Sequence, residues 1–160
     1  MSAVKPMESF DVFLALSSEH AELGARVEVR MARAGISVYN PHRDLADSAR
    51  ARKAGMVDEL RDKLKASRTV VALFDERLHF YPNVAFETGA ALGMGKPVYG
   101  ITESVERPTH SDLPKFIQLF GLADIDRVID AIRRQRGARG STRSRDLGMR
   151  SMRRMKKLPA

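Results

Sequence analysis

Apolar and polar positions divide this chain into short continuous apolar runs alternating with longer helix-periodic segments. Asp11-Val-Phe-Leu-Ala-Leu16 is an apolar run with β-branched and aromatic content, closed by Ser17-Ser18, and predicts a buried strand. Glu19 to Ala34 places Ala21, Leu23, Val27 and Met31 near helical spacing, with Glu19 and Glu22 at its N-terminal end and Gly35 as its stop. Ser17 or Ser18 is the expected cap of that helix. Ile36-Ser-Val-Tyr39 predicts a second strand, ended by Asn40-Pro41, and His42-Arg43-Asp44 a polar loop. About Ser48 to Ala66 reads as a charged helix with Met56, Val57, Leu60 and Leu64 on one face. Thr69 to Phe74 is the most strand-like stretch of the chain. A helix from about Val84 to Met94 follows, with Asn83 as N-cap and Gly95 as its end. Pro97 to Ile101 predicts a fourth strand, Phe116 to Phe120 a fifth, and Asp124 caps a last helix through about Arg134.

This alternation predicts an α/β fold, a doubly wound parallel sheet of four to five strands with helices on both faces, because parallel strands need crossover connections. Open sheets of this kind bind ligands where the strands end at their carboxyl edge. The stretches to inspect are therefore Leu16–His20, Asn40–Asp44, Asp75–Glu87 and Gly100–Glu103.

Composition changes this picture in two places. The 160 residues contain no cysteine, which removes disulfide scaffolds, cysteine nucleophiles and thiolate zinc sites, and fits a reducing, cytoplasmic setting. Apolar runs are too short to span a bilayer, and Met1 to Ser9 lacks the apolar stretch of a signal peptide, so no membrane association is expected. The net charge of +8 belongs to one end. From Arg133 to Ala160, 11 Lys and Arg face a single acid, Asp146; residues 1–132 hold the other 17 of 28 basic and 19 of 20 acidic side chains. Residues 1–136 thus read as a near-neutral α/β domain. Residues 137–160 read as a basic disordered tail that would bind nucleic acid or an acidic partner through its charge.

Glu87 is the strongest candidate for chemistry. It stands about one turn into its predicted helix, among Val84, Ala85, Phe86, Ala90, Ala91 and Leu92, where a carboxylate is costly without a partner or a task. Asp75 ends the third strand at the same edge, and paired carboxylates suit glycosidic chemistry. In Asn40-Pro41-His42-Arg43-Asp44, His42 and Asp44 offer acid–base groups and Arg43 a partner for phosphate or carboxylate. Ser17 and Ser18 precede a helix N-terminus, which suits an anionic ligand. Tyr39, Phe80 and Tyr81 are candidates for stacking on a base. The histidines lack metal-ligand spacing, and neither a metal nor a cofactor is expected. Gly93-Met-Gly-Lys96 has neither the spacing nor the position of a phosphate loop.

The segments Val12-Phe-Leu-Ala15, Gly35 to Asp44 and above all Ala85-Phe-Glu-Thr-Gly-Ala-Ala-Leu-Gly-Met-Gly-Lys-Pro-Val-Tyr-Gly100 resemble the nucleoside 2-deoxyribosyltransferase family, over roughly residues 10–132. The resemblance implies a flavodoxin-like sheet, no metal, and transfer or hydrolysis of the N-glycosidic bond of a nucleoside or nucleotide. By position, Glu87 matches the nucleophile that forms a glycosyl ester. Asp75, or Asp44 with His42, would assist the leaving base, while Ser17, Ser18, Asn40, His42, Arg43 and Asn83 would hold sugar or phosphate. A homo-oligomer is expected. The chain departs from the family's Asp-x-Gly-Thr at Tyr81-Pro82-Asn83-Val84. Asp11 to His20, Ala34 to Val38 and Arg43-Asp-Leu45 resemble the opening of a TIR domain, and Pro82 to Glu87 resembles the glutamate region of bacterial TIR-like proteins. That resemblance implies either cleavage of the nicotinamide–ribose bond of NAD by Glu87 or a non-catalytic assembly module.

Overall fold

The computed structural model describes residues 8–45, 55–79, 81–103 and 117–138. Strands β1 (Phe10–Ala15), β2 (Val38–Tyr39), β3 (Ser67–Leu73), β4 (Val98–Thr102) and β5 (Gln118–Gly121) form one sheet in the order β2-β1-β3-β4-β5. Every neighbouring pair is parallel. The helices are α1 (Ala21–Arg33), α2 (Pro41–Asp44), α3 (Met56–Ala66), α4 (Pro82–Gly93) and α5 (125–138). This is the expected doubly wound α/β architecture, consistent with a flavodoxin-like fold.

Helices cover both faces, so the central strands carry continuous apolar runs, Val12 to Ala15 and Val70 to Leu73, rather than alternating ones. Val12, Leu14, Val71 and Leu73 pack with Leu23, Val27 and Met31 of α1 and with Ile125, Val128, Ile129 and Ile132 of α5. Phe13, Ala15, Val70, Ala72 and Phe74 face the other way, toward Leu64 of α3 and Val84 and Ala91 of α4. With β2 lying to one side of β1 and β3 to β5 to the other, the order in which strands are added reverses between β1 and β3. The crevice outside their carboxyl ends, at Leu16-Ser17 and Phe74-Asp75, is the ligand-binding position of such sheets.

Gly35 and Gly95 follow α1 and α4 with φ of +74° and +68°, the left-handed conformation expected of them as helix stops. Gly100 is needed for space. A Cβ there would lie 2.9 Å from Leu119 Cδ1, 3.1 Å from Phe74 Cε2 and 3.3 Å from Ile117 Cγ2. Gly100→Ala is therefore expected to destabilise the fold by about 1–3 kcal/mol, read as a lower urea midpoint with an unchanged slope.

Several local expectations are corrected by the structure. The polar loop at residues 42–44 is the short helix α2. Asn40 does not merely end a strand; its side chain accepts the His42 N–H and Pro41 occupies the first turn, the usual start of a helix. β2 shortens to two residues because the Asp11 carboxylate takes both the backbone N–H and the hydroxyl of Ser37. Neither serine caps α1: a 3-10 turn at Ser18–His20 intervenes, and Ser17 Oγ turns instead to His20 Nδ1 at 2.8 Å. α4 begins at Pro82, with Asn83 inside its first turn and not at its cap. Asp124 lies in a 3-10 turn, Leu122–Asp124, that leads into α5. That helix runs through residue 138, two residues beyond the expected end of the domain. The predicted start of the third helix near Ser48, the position Phe116 and the basic tail from residue 139 lie outside the described residues.

Candidate active site

Val84, Glu87, Thr88 and Ala91 form the buried face of α4, which packs on β1 and β3. Glu87 is only 6% exposed although it carries a carboxyl group. Its Oε2 is buried with no hydrogen-bond partner among the described residues. Burial pushes its pKa from 4.5 up to about 8, because the apolar layer disfavours the charged form. Near neutral pH most of the population is therefore protonated, and a modest rise in pH ionises it.

Asn83 precedes Glu87 by one helical turn and shares its side of α4. Its Nδ2 donates to the Leu16 carbonyl at 2.8 Å, joining the start of α4 to the carboxyl end of β1. His42 Nε2 approaches the same carbonyl oxygen at 3.1 Å. A carbonyl only accepts, so Nε2 carries the hydrogen in this contact. Leu16 O thus brings α2 and α4 together at the crevice.

The remaining expected residues divide into engaged and exposed groups. Asn40 is buried and spends its side chain on structure: its Oδ1 receives the His42 N–H, and its Nδ2 donates to Glu28 at 2.8 Å. Arg43 pairs with Glu28 and with both carboxylate oxygens of Asp44, at 2.6 and 2.7 Å. Asp44 also accepts the Asn40 N–H at 2.9 Å. Ser17 is buried against His20, whereas Ser18 is exposed at the start of the 3-10 turn.

Asp75 accepts the backbone N–H of His79 at 2.9 Å and lies 2.7 Å from His79 Nδ1. Partial burial works to raise its pKa. The two His79 hydrogen bonds and the positive character of His79 and His20 outweigh burial and hold the carboxyl below its ordinary range. Asp75 is thus partnered by histidine and not by Glu87, whose shift arises from burial.

Tyr39 cannot offer a stacking face, contrary to expectation. It is 2% exposed, with its ring 5.3 Å from that of Phe10 and 5.5 Å from that of Phe13. Its hydroxyl is buried without a partner among the described residues, and its pKa is raised by burial first and then by charges that include Glu87. Tyr81 does reach the rim, edge-on to His20 at 5.3 Å, and donates to Glu19 Oε2 at 2.6 Å. That bond pushes the Tyr81 hydroxyl up to about 12. Phe80 lies outside the described residues.

Sequence reasoning missed Glu28, His20 and His79 as partners of the residues it singled out. All three make contacts set by the tertiary structure or by a turn, and nothing in helical or strand periodicity marks them. Among the described residues no cluster of His, Asp and Glu is arranged to hold a metal ion, and no helix is long and apolar enough to cross a membrane.

No family model matches the chain, and no curated protein matches it in sequence. Among solved structures it is similar to the TIR domain of the Toll-related receptor TRR-2 from Hydra magnipapillata, at 18% identity and a TM-score of 0.54, covering 78% of this chain and 99% of that one. It is also similar to a 2-deoxyribosyltransferase from Leishmania mexicana at 17% identity and a TM-score of 0.46, covering 67% of this chain and 75% of that one. At these identities the likeness is one of fold.

Proposed function

We propose that this chain breaks the N-glycosidic bond of a nucleoside or nucleotide, with Glu87 as the attacking carboxylate. The observation that carries this reading is a buried carboxyl group with an unpartnered oxygen, one helical turn from the Asn83 contact at the sheet's carboxyl edge. A buried, unpaired acid costs stability, and such costs concentrate at reactive centres. Once ionised in a dry environment, the carboxylate is poorly solvated and responds strongly to positive charge developing at a sugar carbon.

In this scheme Glu87 attacks the anomeric carbon as the base departs, forming a glycosyl ester. Water then attacks the same carbon and releases the carboxylate; in a transferase a second base does so. The reactive form is the anion, so the acid limb of the kcat/KM profile should rise with pH as Glu87 ionises, with its midpoint near pH 8. The TIR-like opening segment adds NAD to the substrate classes and leaves an assembly module as the non-enzymatic alternative.

Purified full-length protein incubated with deoxynucleosides, ribonucleosides, their 5′-phosphates and NAD is expected to release free base or nicotinamide, separable by chromatography. Release from nucleosides or nucleotides supports the first reading, and release from NAD alone the TIR-like one. Inertness toward every class would leave the assembly reading standing.

A further inference from the structure

We propose that His42 is the proton donor to the departing base, a step that rests on the glycosidic reading above. A neutral purine or pyrimidine leaves as a poor anion unless a ring nitrogen is protonated as the bond to the sugar breaks. Among the ionisable side chains at the carboxyl edge, three were expected from the sequence to assist the leaving base: Asp75, Asp44 and His42.

The hydrogen-bond pattern separates them. Asp75 is held in its ionised form by His79, so it has no proton to give near neutral pH. Asp44 has both carboxylate oxygens occupied, Oδ1 by Arg43 and Oδ2 by Arg43 and the Asn40 N–H, so neither is left to face a base. His42 differs in each respect. Its Nε2–H is spent on the Leu16 carbonyl and its backbone N–H on Asn40, which fix the ring at the crevice. Its Nδ1 has no partner among the described residues, and the side chain is exposed. The Leu16 carbonyl that orients His42 is the one that holds Asn83, one turn from Glu87. The nucleophile's helix and the imidazole are thus indexed to one oxygen atom.

In the first half-reaction the Glu87 carboxylate forms a bond to the anomeric carbon while the carbon–nitrogen bond breaks. Its electron pair stays on the base nitrogen, and the Nδ1 proton of the His42 imidazolium moves to the base. In the second, the neutral Nδ1 takes a proton from the attacking water, whose oxygen displaces Glu87, and the imidazolium is restored. The arrangement selects substrates with neutral bases. A base that already carries positive charge departs as a neutral molecule and needs no proton.

His42→Gln tests this, because the glutamine amide can keep the donor to Leu16 O while having no proton to transfer. Its kcat/KM for inosine is expected to fall about 10²-fold or more. For 7-methylguanosine, whose base is cationic, the loss should stay within roughly threefold. Equal losses on both substrates would make His42 a structural residue and overturn the proposal, as would an undiminished rate on inosine. A wild-type protein inert toward both nucleosides, their 2′-deoxy counterparts, the 5′-phosphates of all of these and NAD would remove the glycosidic reading itself. Independently, nitrogen-15 NMR of the neutral ring should find the proton on Nε2, and a proton on Nδ1 would exclude the role.

Discussion

Glu87→Gln is expected to abolish base release, with a loss of at least about 10³-fold, while the protein remains folded. Gln matches the shape of the protonated acid that the buried layer already accommodates, so the buried face of α4 that it shares with Val84 and Ala91 is retained. It removes the one charge that can form an ester with the sugar. The loss should fall on kcat more than on KM, because the ground-state substrate meets a neutral side chain in either protein near neutral pH. Circular dichroism and the urea midpoint check the fold, and chromatography checks the rate. Base release at the parental rate by the folded variant would end the assignment of Glu87 as nucleophile.

The same variant should gain stability on the alkaline side, by on the order of 4 kcal/mol relative to its parent between pH 5 and pH 8. Glu87 has a folded pKa of about 8 against an ordinary 4.5. Below the lower value both the folded and unfolded chains hold the proton, and the stability associated with this group is fully present. Between the two values the unfolded chain has lost the proton and the folded chain retains it. Each pH unit then favours unfolding by about 1.4 kcal/mol. Above pH 8 both states are ionised and the slope vanishes. Asp75 acts in the opposite sense, but its window lies below its ordinary 3.8, where falling pH protonates it and loosens the His79 pair. The two ranges therefore separate in a series of urea titrations. Glu87→Gln should flatten the decline between pH 5 and pH 8, and parallel curves for variant and parent would show that the carboxyl is solvated in the folded chain. Activity and stability should thus run in opposite directions over this range, since one ionisation arms the carboxylate and burdens the core.

The strand and helix order was legible because each signal is local. The apolar run Val12 to Leu16, the stretch Thr69 to Phe74 and the periodic segment from Ala21 to Met31 announce a fully covered strand or a one-sided helix from neighbouring residues alone. Glu87 was legible for a related reason, as a carboxylate in a stretch otherwise too apolar to face water. Boundaries were read less well where a side chain competes with the backbone. Asn40-Pro41 signals either the end of a strand or the start of a helix, and the His42 N–H donated to Asn40 Oδ1 decides for the helix. Ser17 would serve equally as a cap, and the imidazole of His20 three residues on claims its hydroxyl instead.

From its sequence alone this protein was determined to be an α/β chain with covered parallel strands and an acid placed against the core near the start of a helix. Which polar side chains remain available for chemistry was decided by the tertiary structure. Arg43 is paired by Glu28, Asn40 is consumed by Glu28, and Asn83 and His42 meet at the Leu16 carbonyl, across separations of 15, 12, 67 and 26 residues. Hydrophobic periodicity records which way a side chain faces within its own element. A hydrogen bond forms between whichever donor and acceptor the packed elements bring within about 3 Å, and that distance is a property of the assembled sheet and its helices.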